Sequence, residues 1–159
     1  MSIVIQVPMG EMAINKGNTI FTTGGIGSCL VICMFDKEKK IGGLAHSMLP
    51  RKKDINPINQ KFDSEAKYVD DSIEKMITKL LNLGARRESI SVKLVGGACM
   101  FKAFKNKLGK STGEQNIEAA HEELQKHKLS LVAEDVGGTS GKMVEFNLAN
   151  GLLNVNLKI

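Results

Sequence analysis

A cysteine and a histidine lie on the two arms of one predicted β-hairpin, and together they are the minimal equipment for acyl chemistry. Cys29 ends the glycine-rich segment Thr23-Gly-Gly-Ile-Gly-Ser-Cys29, and His46 ends the segment Ile41-Gly-Gly-Leu-Ala-His46. A thiolate attacks carbonyl carbons, and an imidazole beside it can hold the thiol proton and return it to a leaving group. Whether the two side chains meet depends on the register of the hairpin.

Two registers of this hairpin are compatible with a four-residue turn in the charged segment 36–40. In the first register Cys29 lies directly opposite His46. In the second it lies opposite Met48, and His46 is diagonal to it on the same face. Directly opposed Cβ atoms are about 4.5 to 5.5 Å apart and diagonal ones about 7 to 8 Å, so both registers bring the side chains together. A five-residue turn would place them on opposite faces.

The glycines before the cysteine predict a backbone that bends sharply beside the sulfur. Gly24, Gly25 and Gly27 carry no side chain that would cover their N–H groups. Bare N–H groups next to a nucleophile can stabilise the oxyanion that forms during acyl transfer. We therefore expect Gly25, Gly27 and Ser28 to form the oxyanion turn.

The ordinary role of a cysteine in an apolar strand is that of a small buried hydrophobe, and we expect this role for Cys33 and Cys99. Zinc is the alternative reading of Cys29, Cys33 and His46. A closed zinc site needs four ligands, and the usual Cys-x2-Cys spacing is missing. No metal is expected.

Two glycine-rich segments resemble cofactor motifs but lack an essential residue. The segment 25–30 has no third glycine for a dinucleotide fingerprint. Gly109-Lys110-Ser111 resembles the end of a phosphate-binding loop, but Phe104 stands where that loop requires glycine. We expect no cofactor.

Length and composition predict one folded domain over residues 1–159. The 17.3 kDa chain is 42% hydrophobic, which is enough for a core without disulfides. It carries three cysteines, an odd number, and begins without the basic and apolar stretches of a signal peptide. No apolar run approaches the roughly 18 residues of a membrane span. These features predict a cytoplasmic protein that is not inserted in a membrane.

The charge pattern argues against nucleic acid as a partner. The net charge is +5, but Lys and Arg are spread along the chain, and aromatic residues make up only 4%. The densest basic group is Arg51-Lys52-Lys53, with Lys61 and Lys67 downstream. This group is a candidate surface for an acidic partner.

The coarse element pattern predicts an α+β fold with mostly antiparallel strands. It contains about seven strands, hairpins at both ends, two helices and no βαβ alternation. The first helix is expected from about Asp63 to Leu83, with Asp63 or Ser64 as its cap and Gly84 as its stop. The second is expected over residues 115–126, and the last strand over residues 153–159.

Several further segments are each a weak signal but are specific in their order along the chain. They are Met9-Gly10-Glu11, Thr23 six positions before Cys29, the arm Ile41–Pro50, Tyr68-Val-Asp70, Gly96-Gly97-Ala98-Cys-Met100, Gly113-Glu-Gln-Asn116, and Asp135-Val-Gly137-Gly138 before Gly141-Lys142. Through these segments the chain resembles the CheD family of chemoreceptor glutamine deamidases.

The resemblance implies a three-layer α/β/β sandwich and a protein-glutamine deamidase. Cys29 would be the nucleophile, His46 the general acid and base, and Thr23 a third residue whose hydroxyl orients the imidazole or the substrate. Glutamine side-chain amides of chemoreceptor cytoplasmic domains would become glutamate and ammonia through a thioester. A CheC-type phosphatase would be a further partner.

Two other functions fit the same residues. One is a binding module that docks to chemoreceptors or the phosphatase, with an incidental thiol. The other is hydrolysis of glutamyl methyl esters, which uses the same thioester route with methanol as the leaving group.

Overall fold

The computed structural model describes residues 2–60, 62–100 and 109–157, and these form three layers: a pair of helices, a five-stranded sheet and a four-stranded sheet. The helices are α1 (Val69–Asn82) and α2 (Thr112–Lys126). The strands are β1 (Ile3–Gln6), β2 (Met12–Lys16), β3 (Thr19–Ile26), β4 (Leu30–Asp36), β5 (Ile41–Ser47), β6 (Ile90–Gly96), β7 (Ser130–Val136), β8 (Lys142–Asn147) and β9 (Leu153–Leu157). Short 3-10 helices cover Lys52–Asp54, Pro57–Gln60 and Arg87–Ser89. The predicted α+β fold is confirmed.

The five-stranded sheet has the order β2-β5-β4-β6-β7, and the four-stranded sheet has the order β1-β3-β8-β9. Neighbouring strands are antiparallel except for the pairs β1–β3 and β6–β7, which are parallel. The sheets are therefore mixed, with antiparallel pairing predominant as expected.

Strand β4 lies at the centre of the molecule because both of its faces are buried. Side chains alternate between the two faces of a strand. Leu30, Ile32 and Met34 belong to the core beneath the helices, whereas Val31, Cys33 and Phe35 belong to the core between the two sheets. This double burial explains why the sequence of β4 is a continuous apolar run. Cys33 is a packed core residue, as predicted.

The predicted start of α1 is wrong. The helix begins at Val69, with Tyr68 as an N-cap that makes no side-chain capping bond. The expected cap, Asp63, instead accepts hydrogen bonds from Lys67 Nζ at 2.8 Å and from the Tyr68 hydroxyl at 2.6 Å. Asp63 thus holds the loop before the helix. The expected stop is confirmed, since Gly84 follows the helix with a φ of 108°.

The predicted absence of βαβ alternation is also wrong. In chain order α2 lies between β6 and β7, and these two strands pair in parallel. Strand β2 was not predicted as a separate element, because its sequence MAINK carries only a short alternation. The predicted final strand extended to residue 159, and its last two residues lie outside the described part of the chain.

Candidate active site

The β4–β5 hairpin adopts the second of the two predicted registers. Val31 lies opposite His46, and Leu30 lies opposite Ser47. Extending this register by one pair places Met48 opposite Cys29, with His46 diagonal to Cys29. Cys29 itself lies in the bend between β3 and β4. The direct pairing of Cys29 with His46 and the five-residue turn are both excluded.

The site lies at one end of the space between the two sheets. His46 extends from the five-stranded sheet, and Thr23 extends from β3 of the four-stranded sheet to meet it. The side chains of Cys29 and His46 are 7% and 1% exposed, and Thr23 is also buried. The sulfur and the ring are therefore largely removed from bulk water in this structure.

One hydroxyl fixes the tautomer of the imidazole. Thr23 Oγ1 donates a hydrogen bond to the carbonyl oxygen of Val7 at 2.7 Å and also lies 2.7 Å from His46 Nδ1. A hydroxyl has one hydrogen, and a carbonyl oxygen only accepts. The hydrogen of Thr23 is thus committed to Val7, so Nδ1 of His46 carries a proton and donates it to Thr23. In the neutral ring Nε2 then bears the lone pair.

Nε2 of His46 is buried and has no hydrogen-bond partner among the described residues. Burial lowers the pKa of His46 to about 4, because the charged ring would lose its hydration. The imidazole is therefore neutral at neutral pH, with a free acceptor atom. A neutral imidazole with an unpaired ring nitrogen has the chemistry of a general base.

The thiol is protonated in the resting site. Burial raises the pKa of Cys29 above its ordinary value, and the backbone N–H of Cys29, which contacts the sulfur, opposes this in part. Sequence reasoning expected a thiolate stabilised by an imidazolium. The pKa directions favour a neutral thiol and a neutral imidazole, which no hydrogen bond joins among the described residues, so that expectation is corrected. The difference arises from burial, which disfavours both charged forms.

All three carbonyl oxygens of the bend at residues 27–29 accept hydrogen bonds. The carbonyl of Gly27 accepts from the N–H of Ala98, and the carbonyl of Cys29 accepts from the N–H of Gly97. The carbonyl of Ser28 accepts from the side-chain amide of Asn116. In a trans peptide the next N–H points opposite to the carbonyl. The N–H groups of Ser28 and Cys29 therefore point away from these partners, and neither donates to a backbone acceptor in the part of the chain that the structure describes.

This geometry agrees with the expected oxyanion turn at Ser28 but not at Gly25. The N–H of Ser28 has no backbone acceptor among the described residues, as expected for a member of that turn, and the N–H of Cys29, which was not among the predicted donors, has none either. Gly25 lies earlier, in the irregularity of β3 between Thr23 and Ile26, where its φ is 62° and it is exposed. The left-handed conformation explains why glycine is required there.

Two contributors to the site were not assigned by sequence reasoning: the carbonyl of Val7 and the side chain of Asn116. A carbonyl carries no sequence signal. Asn116 did carry one, because it occupies a buried position of α2 that is in helical phase with Ala119, Ala120 and Leu124. A polar residue in such a phase requires a hydrogen-bonding partner inside the protein.

One pocket lies beside the bend of Cys29, and another lies beside Thr23. A pocket of about 230 Å³ is lined by Ser28, Cys99, Met100 and the first turn of α2. A second, of about 380 Å³, is lined by Thr23, Gly24 and residues 6–9. Met9 and Met100 at these pockets are 51% and 47% exposed. Flexible apolar side chains thus border the site on both sides.

The basic group after Pro50 is partly neutralised within the protein. Arg51 pairs with Glu122 at 2.9 Å, and Lys52 Nζ lies 3.8 Å from Asp71. Lys61 lies outside the described residues. The predicted acidic-partner surface is therefore smaller than the sequence indicates.

Metal-ligating side chains come together at Glu74, Glu123 and His127, on the helix layer. His127 Nε2 lies 3.0 Å from Glu123, and the ammonium of Lys126 lies 3.6 Å from Glu74. The ammonium of Lys126 supplies positive charge to this cluster, so ion pairs explain why these side chains lie close together.

Comparisons with known proteins agree on one family. A family model described as CheD chemotactic sensory transduction matches residues 48–157. A Methanococcus maripaludis protein, named probable chemoreceptor glutamine deamidase CheD, is 40% identical over 152 residues, which cover 96% of this chain and 94% of the relative. A Pyrococcus horikoshii protein of the same name is 37% identical over 147 residues, 92% of this chain and 88% of the relative.

A Thermotoga maritima protein named chemoreceptor glutamine deamidase CheD is 35% identical over 149 residues, 94% of this chain and 88% of the relative. Within the described residues, neither helix has the length and apolar character needed to span a membrane.

Proposed function

Because this chain belongs to the CheD family, we propose that it hydrolyses side-chain amides of chemoreceptor glutamines to glutamate and ammonia. Cys29 is the nucleophile, His46 is the general base and acid, and Thr23 positions His46. The observation that carries these roles is the hydrogen bond between Thr23 and Nδ1 of His46, which leaves Nε2 with its lone pair.

The first half of the reaction makes the thioester. As the substrate amide binds, Nε2 of His46 takes the proton of the Cys29 thiol, and the sulfur forms a bond to the amide carbon. The carbonyl electron pair moves onto oxygen. When this pair returns, the bond between carbon and nitrogen breaks, and the nitrogen takes the proton from Nε2 and leaves as ammonia.

The second half releases glutamate. A water molecule gives a proton to Nε2 while its oxygen bonds to the thioester carbon. Collapse of this second tetrahedral species breaks the bond between carbon and sulfur, and the proton on Nε2 returns to the sulfur. His46 therefore cycles between neutral and charged forms. In the charged form the hydrogen bond from Nδ1 to Thr23 is charge-assisted and strengthens.

The oxyanion of both tetrahedral species is stabilised by backbone N–H groups of the bend. Those of Ser28 and Cys29 are the donors that the hydrogen-bond pattern supports best, because their peptide carbonyls are turned toward Ala98 and Asn116. At Gly27 an added Cβ would lie 2.6 Å from Sδ of Met100, so glycine makes room for this methionine beside the bend. Such donors are effective because they are already oriented before the charge develops.

The partners follow from the family and from the surroundings of the site. Receptor cytoplasmic segments carry the substrate glutamines, and the exposed side chains of Met9 and Met100 offer them apolar contacts. A CheC-type phosphatase is a second partner at the same opening. The protein works in the cytoplasm, where a reducing environment keeps Cys29 free, and residues 1–159 form one deamidase domain.

The test is mass spectrometry of a purified receptor cytoplasmic fragment after incubation with the protein. Wild type is expected to convert individual glutamines to glutamates, detected by the mass change when NH2 is replaced by OH, and to release ammonia. Cys29→Ala and His46→Ala are expected to abolish both signals, because each removes a group that bonds to the reacting atoms or moves their proton.

The matched control is Cys33→Ala, which removes a sulfur from the inter-sheet core four residues away in sequence. It is expected to retain activity at temperatures where it is folded. If Cys29→Ala releases ammonia at the wild-type rate, the proposed catalytic role is wrong. Receptor binding by an inactive wild type would instead favour a docking module.

A further inference from the structure

Asn116 makes a bridge between the two catalytic segments. Its side chain is 0% exposed, and Nδ2 donates hydrogen bonds to the carbonyl oxygens of Ser28 at 2.8 Å and Met48 at 3.1 Å. Ser28 immediately precedes Cys29, and Met48 follows His46 by two residues. A single planar group on α2 thus joins the bend of the nucleophile to the end of the strand that carries the base.

The chemistry of this bridge specifies a carboxamide. Both partners are carbonyl oxygens, which only accept, so the NH2 end must face them and both of its hydrogens are used. Serine would offer one hydrogen, and an apolar side chain would offer none. An ionised aspartate would place negative charge against both carbonyl oxygens. Asparagine is the short side chain that satisfies the two together.

Oδ1 of Asn116 is buried without a hydrogen-bond partner among the described residues. An unpaired buried acceptor costs about 1 to 3 kcal/mol. On the same face of α2, Ala119, Ala120 and Leu124 pack without such a cost. The position therefore carries a polar group that packing does not require.

The helix that carries Asn116 is itself rigidly held. Gly113, one turn earlier, lies so close to the backbone of residues 97 and 98 that an added Cβ would be 2.4 Å from each of their carbonyl oxygens. The hydroxyl of Ser111 caps the helix by accepting from the N–H of Glu114 at 3.1 Å. Because the helix is held in place, the side-chain amide of Asn116 has a fixed position relative to the bend of Cys29.

We propose that Asn116 is a positioning residue for the deamidation reaction: by holding the carbonyls of Ser28 and Met48 it sets the separation of Cys29 from His46. It also turns the N–H of Cys29 toward the reacting carbonyl. Asn116 does not touch the substrate and acts through the two segments that it joins. This inference rests on the proposed function.

The test compares Asn116→Asp with wild type in steady-state deamidation of a receptor fragment from about pH 5 to 8. The substitution conserves shape. When protonated, the new carboxyl donates one of the two hydrogen bonds, and when ionised it donates none and repels both carbonyl oxygens. We expect kcat to fall by about 10- to 100-fold at the upper end and to recover partly at the lower end, with KM within about threefold of wild type.

Neighbouring ionisable groups do not produce this pH dependence. His46 stays neutral above its pKa of about 4. The pKa of Cys29 is raised by burial. Burial, followed by the hydrogen bond to Asp63, raises the pKa of Tyr68, whose backbone pairs with Leu49 beside the bridge, to about 12. Wild-type kcat is therefore expected to be flat over the same range, and a slope in Asn116→Asp reports the new carboxyl.

The matched control is Asn15→Asp, which makes the same chemical change at a side chain that donates to Thr19 Oγ1 at 2.9 Å. Asn15 lies beside Gly42, at the end of β5 remote from His46. This variant is expected to keep a flat pH profile and a wild-type kcat. Circular dichroism at each pH shows whether every variant is folded under assay conditions.

A folded Asn116→Asp with wild-type kcat and a flat pH profile would overturn the inference, as would a change confined to KM. Loss of activity only in proportion to loss of folded protein would also overturn it. If Asn116→Asp does not fold, Asn116→Ala takes its place, with a pH-independent loss of kcat and a slower alkylation of Cys29 by iodoacetamide expected. Cys29→Ala is assayed in parallel, since its activity would refute the proposed function and not the role of Asn116 within it.

Discussion

Thr23 and His46 are joined across the two sheets by a contact of 2.7 Å between the threonine hydroxyl and Nδ1 of the ring. The same hydroxyl donates to the carbonyl of Val7 at 2.7 Å. Because Val7 takes the only hydroxyl hydrogen, the contact with His46 has one direction, from Nδ1 to oxygen. A backbone carbonyl at the end of the first strand thereby decides which nitrogen of the imidazole is free to act as a base.

Thr23→Val is expected to lower kcat by about 10- to 100-fold with little change in KM. Valine keeps the shape but leaves the N–H at Nδ1 unpaired, and an unsatisfied buried donor costs about 1 to 3 kcal/mol, more when the ring becomes charged in the transition state. Steady-state kinetics of ammonia release measure the effect.

Thr23→Ser restores the hydroxyl and is expected to keep most of the activity. Thr22→Val makes the same substitution one residue earlier, on the opposite face of β3, and is expected to have no effect. A wild-type kcat in folded Thr23→Val would show that the ring is oriented without this hydrogen bond.

The deamidation activity is expected to persist at acid pH. Burial lowers the pKa of His46 to about 4, so the ring stays in its neutral, base-competent form until the pH falls to that value. The profile of kcat/KM should be level near neutral pH and decline, by up to about tenfold per pH unit, below about pH 4. The measurement is deamidation across an acid pH series on protein shown to be folded at each point.

A thiolate paired with an imidazolium would give a different alkaline limb, because such a pair exists only while the ring holds its proton. A decline of kcat/KM as the pH rises through the ordinary histidine pKa of 6.5, or just above it, would therefore contradict the neutral resting pair.

Alkylation of Cys29 by iodoacetamide is expected to accelerate continuously from neutral pH past pH 9.0. The thiolate is the reactive species, and burial raises the pKa of this thiol above its ordinary value of 9.0, so the thiolate fraction keeps growing over that interval. Peptide mapping by mass spectrometry follows each cysteine separately.

Cys33 provides the internal comparison, since it is 1% exposed and burial raises its pKa further. It is expected to stay unmodified while the protein is folded. A rate at Cys29 that reaches a plateau below about pH 8 would indicate a thiolate of low pKa.

Local sequence was sufficient for the parts of the site that lie close together along the chain. A four-residue turn in the charged segment allowed two registers of the β4–β5 hairpin, and in both of them Cys29 and His46 share a face; the structure excluded the five-residue turn. Burial of both faces of β4 is visible as an apolar run. Gly84 marked the end of α1, because glycine adopts a positive φ at little cost.

Other features depended on contacts between distant segments. Asp63 has the chemistry of a helix cap, but Lys67 and Tyr68 bind its carboxylate, so α1 begins later than its pattern predicts. Strands β6 and β7 pair in parallel, and residues 97 and 98 after β6, together with Asn116 of α2, hydrogen-bond to the bend of Cys29. The start of α1 and the pairing of β6 with β7 depend on the packing energy of the whole fold, which local sequence patterns do not contain.

The sequence by itself determined the candidate catalytic residues, the hairpin that presents them and the likeness to CheD, because residue type, turn length and strand period are local properties. The tertiary structure determined the protonation of these side chains and how they are oriented. Burial between two sheets keeps the thiol and the ring neutral, the Val7 carbonyl selects the base nitrogen, and Asn116 of a remote helix holds both segments. These properties arise from desolvation and hydrogen bonds between segments distant in the chain, which exist only once the layers have packed.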